Sequence, residues 1–228
     1  MPTAKRRTAS PAKTKDPKRL ARIDRRREQS REEILAGARR VLLRDGIAST
    51  TLDAVAKEIG MSKTALYYYF PSKDALFFEL IFGNFTFQAQ AIHDAVEKTE
   101  GGGEALRAVV REAVSCSAPR LDDFRLAFLY GQVAGPGAVH FTDEQFKRIR
   151  PLNDLILAGT TEKLKEEWKE RPGRAGVRPR LMAFLAYLAA VGLLTMKGMV
   201  ESLDDPLLYS DEQLIEGFAR IFEAAAEP

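Results

Sequence analysis

Between residues 51 and 76 the apolar positions fall into two short helical phases separated by a turn. Leu52, Val55, Ala56 and Ile59 are spaced i, i+3, i+4 and i+7, which lays one stripe along a helix of about eight residues. Thr51 stands where a hydroxyl caps the first turn, and Gly60 where left-handed backbone ends a helix cheaply. Met61 supplies an apolar turn residue and Ser62 caps the next helix, on which Leu66 and Phe70 share a face. Pro71 closes it, and Ser72 caps a third helix beginning SKDALFFELI. This punctuation is that of a helix-turn-helix, whose second helix enters the major groove of duplex DNA.

Upstream, Ser30-Arg31-Glu32-Glu33 has capping-box spacing, and Ile34, Leu35, Ala38, Val41 and Leu42 form an apolar face ending at Asp45-Gly46. A first helix there completes a three-helix unit. Downstream the periodicity stays helical, over 72–98, then 104–117 after Glu100-Gly101-Gly102-Gly103, then from Pro119 through LDDFRLAFLYGQV to Gly135-Pro136-Gly137. Residues 142–170, with Pro151 inside, predict a long amphipathic helix, followed by an exposed basic loop from Arg171 to Pro179. Leu181 to Met196 carries no charge, yet is shorter than the roughly 20 residues of a membrane span and is bounded by Arg180 and Lys197. Such an all-round apolar helix must be covered on both sides, by its own core and by a partner subunit, which places Leu188 and Leu193 at an interface. A last helix near 211–225 adds a stripe of Leu214, Phe218, Ile221 and Ala225.

On the reading helix, Lys63, Thr64, Ala65, Tyr67 and Tyr69 are left for DNA, with Thr51 and Ser62 at the caps. Tyr68, about 100° round from Tyr67, is expected to pack inward. Lys73 lies at the next helix N-terminus, where backbone amides also attract phosphate, and Arg31 is placed to approach the backbone.

Charge changes the picture once it is divided. Residues 1–27 hold 11 Lys or Arg against Asp16 and Asp24, a balance of +9; the whole chain carries +3, so the remainder carries −6. With Pro2, Pro11 and Pro17 and few large apolar side chains, this stretch is expected to be a disordered arm whose Arg25, Arg26 and Arg27 reach phosphates or a narrow minor groove. An organellar targeting segment is the competing reading.

Catalytic chemistry is poorly supplied. The histidines are His93 and His140, acid pairs such as Asp122-Asp123, Glu166-Glu167 and Asp204-Asp205 diverge on a helix, and no Cys/His metal spacing occurs. The glycine clusters neither follow a strand nor carry a nucleotide loop's Lys-Ser/Thr. His140 with Asp143 and Glu144 is the nearest to a ligand cluster, and a loop histidine beside a helix cap accounts for it. The single Cys116 excludes an internal disulfide, suits a reducing cytoplasm and reads as a small buried hydrophobe. An enzyme, a metal site and a cofactor are therefore not expected, and a DNA-binding architectural protein relying on its basic arm is the principal rival.

Thr51, Val55, Ala56, Gly60, Met61, Ser62, Leu66, Tyr67, Tyr69, Phe70, Ser72, Lys73 and Leu76 follow the pattern T-x-x-x-[IV]-A-x-x-x-G-[VM]-S-x-x-x-[LI]-Y-x-[YH]-F-x-[SN]-K-x-x-L. Here the chain resembles the tetracycline-repressor (TetR) family of bacterial transcription regulators, over roughly Ser30 to Phe82. The resemblance implies an all-α protein, with an N-terminal three-helix helix-turn-helix DNA-binding domain and a larger C-terminal helical domain for ligand binding and dimerisation. The expected division is a basic arm at 1–27, the DNA-binding domain at 28–75 and the effector and dimer domain at 76–228. Implied partners are a palindromic double-stranded operator, a second copy joined through the last two long helices, and a small hydrophobic or amphipathic effector, without a membrane. The effector's cavity is expected among Phe124, Arg125, Phe128, Gln132, Trp168, Phe184, Tyr187 and Met196, many of which also suit a plain core. A cytoplasmic repressor is the function this implies.

Overall fold

A computed structural model of the chain describes residues 17–133, 142–169, 177–203 and 209–226. Among them are nine α-helices, one short 3-10 turn and no strand. The chain divides into two compact units, 1–71 and 72–228, so the division falls at Pro71/Ser72 rather than after residue 75.

In the first unit, α1 (Pro17–Ser49) begins inside the stretch expected to be disordered. Residues 17–27 are helical, whereas 1–16 lie outside the described residues. Pro17 is tolerated in a first turn, and the Arg, Leu and Ala that follow are good helix formers joined to an already nucleated helix. Ser30 consequently lies within α1 and does not start it. Gly46, at φ 77° and ψ 173°, interrupts the helix where its apolar face was expected to stop.

Ile34, Ala38, Val41 and Leu42 of α1 pack with Leu52, Val55 and Ala56 of α2 (Leu52–Glu58) and with Leu66 and Phe70 in and after α3 (Lys63–Tyr69), all buried. Close approach depends on Gly37: a Cβ there would stand 2.2 Å from Ile59 Cγ2, on a stiff β-branched side chain. On the surface, Arg40 and Arg44 donate to Glu58 at 3.0 and 2.9 Å, tying α1 to α2, and their hydrogen bonds hold the Glu58 carboxyl below its ordinary range.

The second unit contains α4 (Lys73–Glu97), α5 (Gly102–Ser117), the 3-10 turn Ala118–Arg120, α6 (Leu121–Val133), α7 (Asp143–Lys169), α8 (Pro179–Leu203) and α9 (Asp211–Ala226). Helix α5 is central, with α4, α7, α8 and α9 packed on it. Its Ala105, Leu106, Val109, Val110, Ala113 and Val114 are fully buried, and their modest size admits neighbours from several directions. Helix α7 is continuous through Pro151 and opens with Thr142 and Gln145 bonding to each other's backbone amides.

Helix α8 is two-faced. Met182, Ala183, Ala186, Ala190, Leu193 and Leu194 are buried, while Leu181, Phe184, Leu185, Leu188 and Met196 stay open. By length and composition Pro179–Lys197 could cross a membrane, but its buried stripe belongs to the core of a helical body. Leu188 is thus on the uncovered face, as a partner-facing residue requires. Leu193 is not: it sits three residues beyond Ala190 on the core stripe. On α9, Ile215 and Ala219 form the buried line, with Leu214, Phe218 and Phe222 packed half-buried beside it and Ile221 exposed.

Candidate nucleic-acid interface and helical body

The turn between α2 and α3 is built by backbone. Met61 N donates to Ala56 O at 2.9 Å and Gly60 N to Lys57 O at 3.3 Å, the paired bonds of a Schellman end, with Gly60 at φ 65° as the left-handed residue it needs. Thr51 Oγ1 accepts from Ala54 N at 3.1 Å and Ser62 Oγ from Ala65 N at 3.2 Å, so both hydroxyls cap helices as expected. Each keeps its own proton as a donor for a phosphate.

Helix α3 turns Leu66 inward and leaves Lys63, Thr64 and Tyr67 exposed, with Ala65 and Tyr69 half-buried. Tyr68 reverses its expectation: it is 69% exposed. The phase must be counted from Leu66, and Tyr68 then lies about 200° away while Tyr69 lies about 60° from the core line. The rings of Tyr68 and Tyr69 meet edge to face at 5.4 Å, and the Arg27 guanidinium lies 5.5 Å from the Tyr68 centroid. Arg31 instead stacks over Phe70 at 4.9 Å. Arg25 and Arg26 are exposed on the amino-terminal part of α1.

Lys63 has a partner that sequence reading missed: its Nζ donates to Asp53 Oδ2 at 2.7 Å across the turn, which raises the ammonium above its ordinary pKa. The contact was foreseeable only as an i, i+10 pair bridging a turn, a spacing no helical rule singles out. Lys73, in the second unit, lies 5.2 Å from the Phe77 ring, and desolvation lowers its pKa.

In the second unit, Phe124 and Phe128 stack at 4.6 Å, and Phe128 meets Phe85 of α4 at 4.9 Å. One turn along α4, Gln88 accepts from Tyr187 Oη at 2.7 Å and donates to Ser117 Oγ at 2.8 Å. Phe124, Phe128 and Tyr187 thus converge on neighbouring positions of α4. Burial pushes the Tyr187 phenol well above its ordinary pKa. Asn84, also one turn from Gln88, has a buried Nδ2 without a partner among the described residues. Gln88 and Asn84 interrupt the apolar face of α4 between Ile81 and Ile92, which was the available signal for them.

Other expected members lie elsewhere. Trp168 follows Glu167, which accepts from Gly102 N at the start of α5, whereas Gln88 bonds Ser117 at its end, about 22 Å away at 1.5 Å per residue. Phe184 and Met196 are on the open face of α8, and Arg125 pairs with Asp122 of its own helix at 3.1 Å. The Gln132 side chain, His140, the Gly135–Gly137 loop, Asp204-Asp205 and most of the basic loop after Arg171 lie outside the described residues. Cys116 is half-buried and its thiol is pushed up by desolvation. Among the described residues no cluster of His, Cys, Asp and Glu could hold a metal.

Residues 34–80 match the family described as bacterial regulatory proteins, tetR family. The chain carries a TetR-family DNA-binding domain. The HTH-type transcriptional regulator LmrA of Bacillus subtilis (strain 168) is 35% identical over 88 residues, which are 38% of this chain and 46% of that protein. The match therefore spans just under half of that curated relative. A TetR/AcrR-family regulator from Thermobifida fusca YX-ER1 has the same fold at 20% identity and a TM-score of 0.61, covering 88% of this chain and 100% of that one. FadR of Bacillus subtilis, solved with stearoyl-CoA, is similar at 16% identity and a TM-score of 0.62, covering 85% and 98%. These likenesses extend the TetR-type fold across the helical body as well as the DNA-binding domain.

Proposed function

We propose that this TetR-family chain is a cytoplasmic, sequence-specific transcription regulator that acts as a homodimeric repressor on a palindromic operator and is released by a hydrophobic or amphipathic small molecule. The observation that carries the reading is α3: a short helix capped at Ser62, anchored by Leu66, presenting Lys63, Thr64 and Tyr67 outward. Two such helices related by a two-fold axis would read half-sites one turn of DNA apart. The open face of α8, with Leu188 and Phe184, and the neighbouring Leu214, Phe218 and Ile221 of α9 support a self-complementary interface.

An effector role for the second unit is supported by polar groups lying inside an apolar bundle, where the buried Asn84 Nδ2 has no acceptor among the described residues. An effector that prefers the non-binding state must lose affinity when operator is present, by the same factor it weakens DNA binding. An architectural role would rest on the arginines of α1, whereas the capped α3 with its exposed Lys63, Thr64 and Tyr67 favours sequence readout. Genomic footprinting followed by titration of a recovered duplex and its scrambled counterpart tests the proposal. Tight binding to the recovered duplex alone supports it, and equal binding to both rejects it.

A further inference from the structure

Tyr68 stands 69% exposed on the outward side of α3. It lies one helical turn past the exposed Thr64 and about 40° round from it, so the two side chains share one line along the reading helix. The ring is open but held. Tyr69 meets it edge to face at 5.4 Å with the planes 87° apart, and the Arg27 guanidinium of α1 lies 5.5 Å from its centroid. Each contact favours one setting of the ring. A guanidinium stacked on a ring keeps its in-plane N–H donors free for a phosphate. Arg27 precedes the segment 34–80 that matches the family, so this brace comes from the amino-terminal extension of α1.

We infer that Tyr68 reads the C5 methyl group of a thymine in the major groove, and that Arg27 is the positioning residue that aims its ring. The inference rests on α3 being the element that enters the groove, as proposed above. Base edges there offer hydrogen-bonding groups at every pair, but an apolar group only at thymine. Lys63 and Thr64 suit the polar groups, and the Tyr68 ring, next along the same side, brings apolar carbon. The Tyr68 hydroxyl and the Arg27 donors suit a neighbouring phosphate, which carries no sequence. Because the ring is already fixed in the free protein, it loses little rotamer freedom on contact, and more of the methyl's burial appears as discrimination.

Uracil in place of thymine deletes that methyl and leaves the hydrogen-bonding edge intact. The test titrates the full chain on a symmetric duplex recovered by in vitro selection, with each thymine in turn replaced by uracil in both half-sites. At one position uracil is expected to weaken wild type about fifteenfold, roughly fourfold for each buried methyl. Tyr68→Phe should show the same loss, and Tyr68→Ala should bind the thymine and uracil duplexes alike. Arg27→Ala should lower the thymine-to-uracil ratio, whereas Arg26→Ala should weaken both duplexes equally, because a phosphate contact does not sense the methyl. All three side chains are exposed, so these variants leave the core intact. Equal binding of wild type to thymine and uracil duplexes at every position overturns the inference, and so does a recovered site without thymine. A uracil effect that persists in Tyr68→Ala assigns the methyl to another side chain and overturns it as well, while a ratio unchanged in Arg27→Ala overturns the positioning role. Selection that recovers no common duplex overturns the role of α3 itself and the inference with it; the other failures leave that role standing.

Discussion

Lys63 is held in the free protein by the partner it would have to leave on DNA. Its pair with Asp53 is exposed at both ends, and a phosphate or a guanine edge competes with it in water. Replacing Asp53 with Asn is therefore expected to tighten binding to all duplexes, because it removes a negative charge beside the reading helix and releases the ammonium. Lys63→Ala or Thr64→Ala should instead erode discrimination, by about tenfold or more for each base edge left unread, in titrations on specific and scrambled DNA. Parallel losses on both duplexes would assign these side chains to the backbone. Most of this site was legible in the sequence, because Thr51, Gly60 and Ser62 act locally and their roles depend on neighbours only a few residues away. Tyr68 was not, since its face depends on where the core line of α3 runs, and Leu66 rather than Tyr67 defines that line. The Asp53 pairing was hidden for a related reason: it depends on the angle between two helices.

At the scale of elements, the helices of the body were visible from their periodicity, but which faces meet was not. Leu193 and Leu188 are equally apolar in sequence, and only packing on α5 separates the buried one from the open one. For the basic stretch at 17–27, a composition with few large apolar residues argues for disorder in isolation, whereas here the stretch extends a helix already nucleated in α1. The Gln88 network joins α4, α5 and α8, and Tyr187→Phe strands the Gln88 carbonyl. That variant should lose about 1–3 kcal/mol, seen as a melting temperature lower by several degrees at about 2–4 °C per kcal/mol. Gln88→Leu combined with Tyr187→Phe should lose less than the two single losses added, and strict additivity would show the network to be uncoupled. Helix α9 is pinned to α5 by Arg107, which donates to Glu223 at 2.6 and 2.7 Å and to Glu216 at 2.8 Å. The Arg107 hydrogen bonds hold the Glu223 carboxyl below its ordinary value of 4.5. Folding thus favours the ionised form, so the contribution is present above pH 4.5 and is lost as pH falls through the lower folded value. Denaturant midpoints at pH 7 and pH 4 should fall further apart in wild type than in Glu223→Gln; equal gaps would remove Glu223 from the acid response.

For the whole molecule, a positively charged amino-terminal region accompanies each of the two reading heads of the proposed dimer. Removing residues 1–27 should weaken binding to every duplex and flatten the log–log salt dependence by about 0.9 for each phosphate no longer neutralised. An unchanged slope would take that region away from DNA. A charge at Leu188, as in Leu188→Glu, is expected to yield monomers in light scattering, while the same change at Leu193 should unfold the chain, since that side chain is already in the subunit's own core. The central claim is that two copies of α3 read base sequence together. In vitro selection from a random duplex library tests it most directly, run in parallel with wild type and the Lys63→Ala/Thr64→Ala variant. Wild type should enrich a two-fold symmetric sequence with half-sites about one helical turn apart, and the variant should enrich it weakly or not at all. Recovery of no common sequence by wild type, or the same enrichment by both proteins, would contradict it.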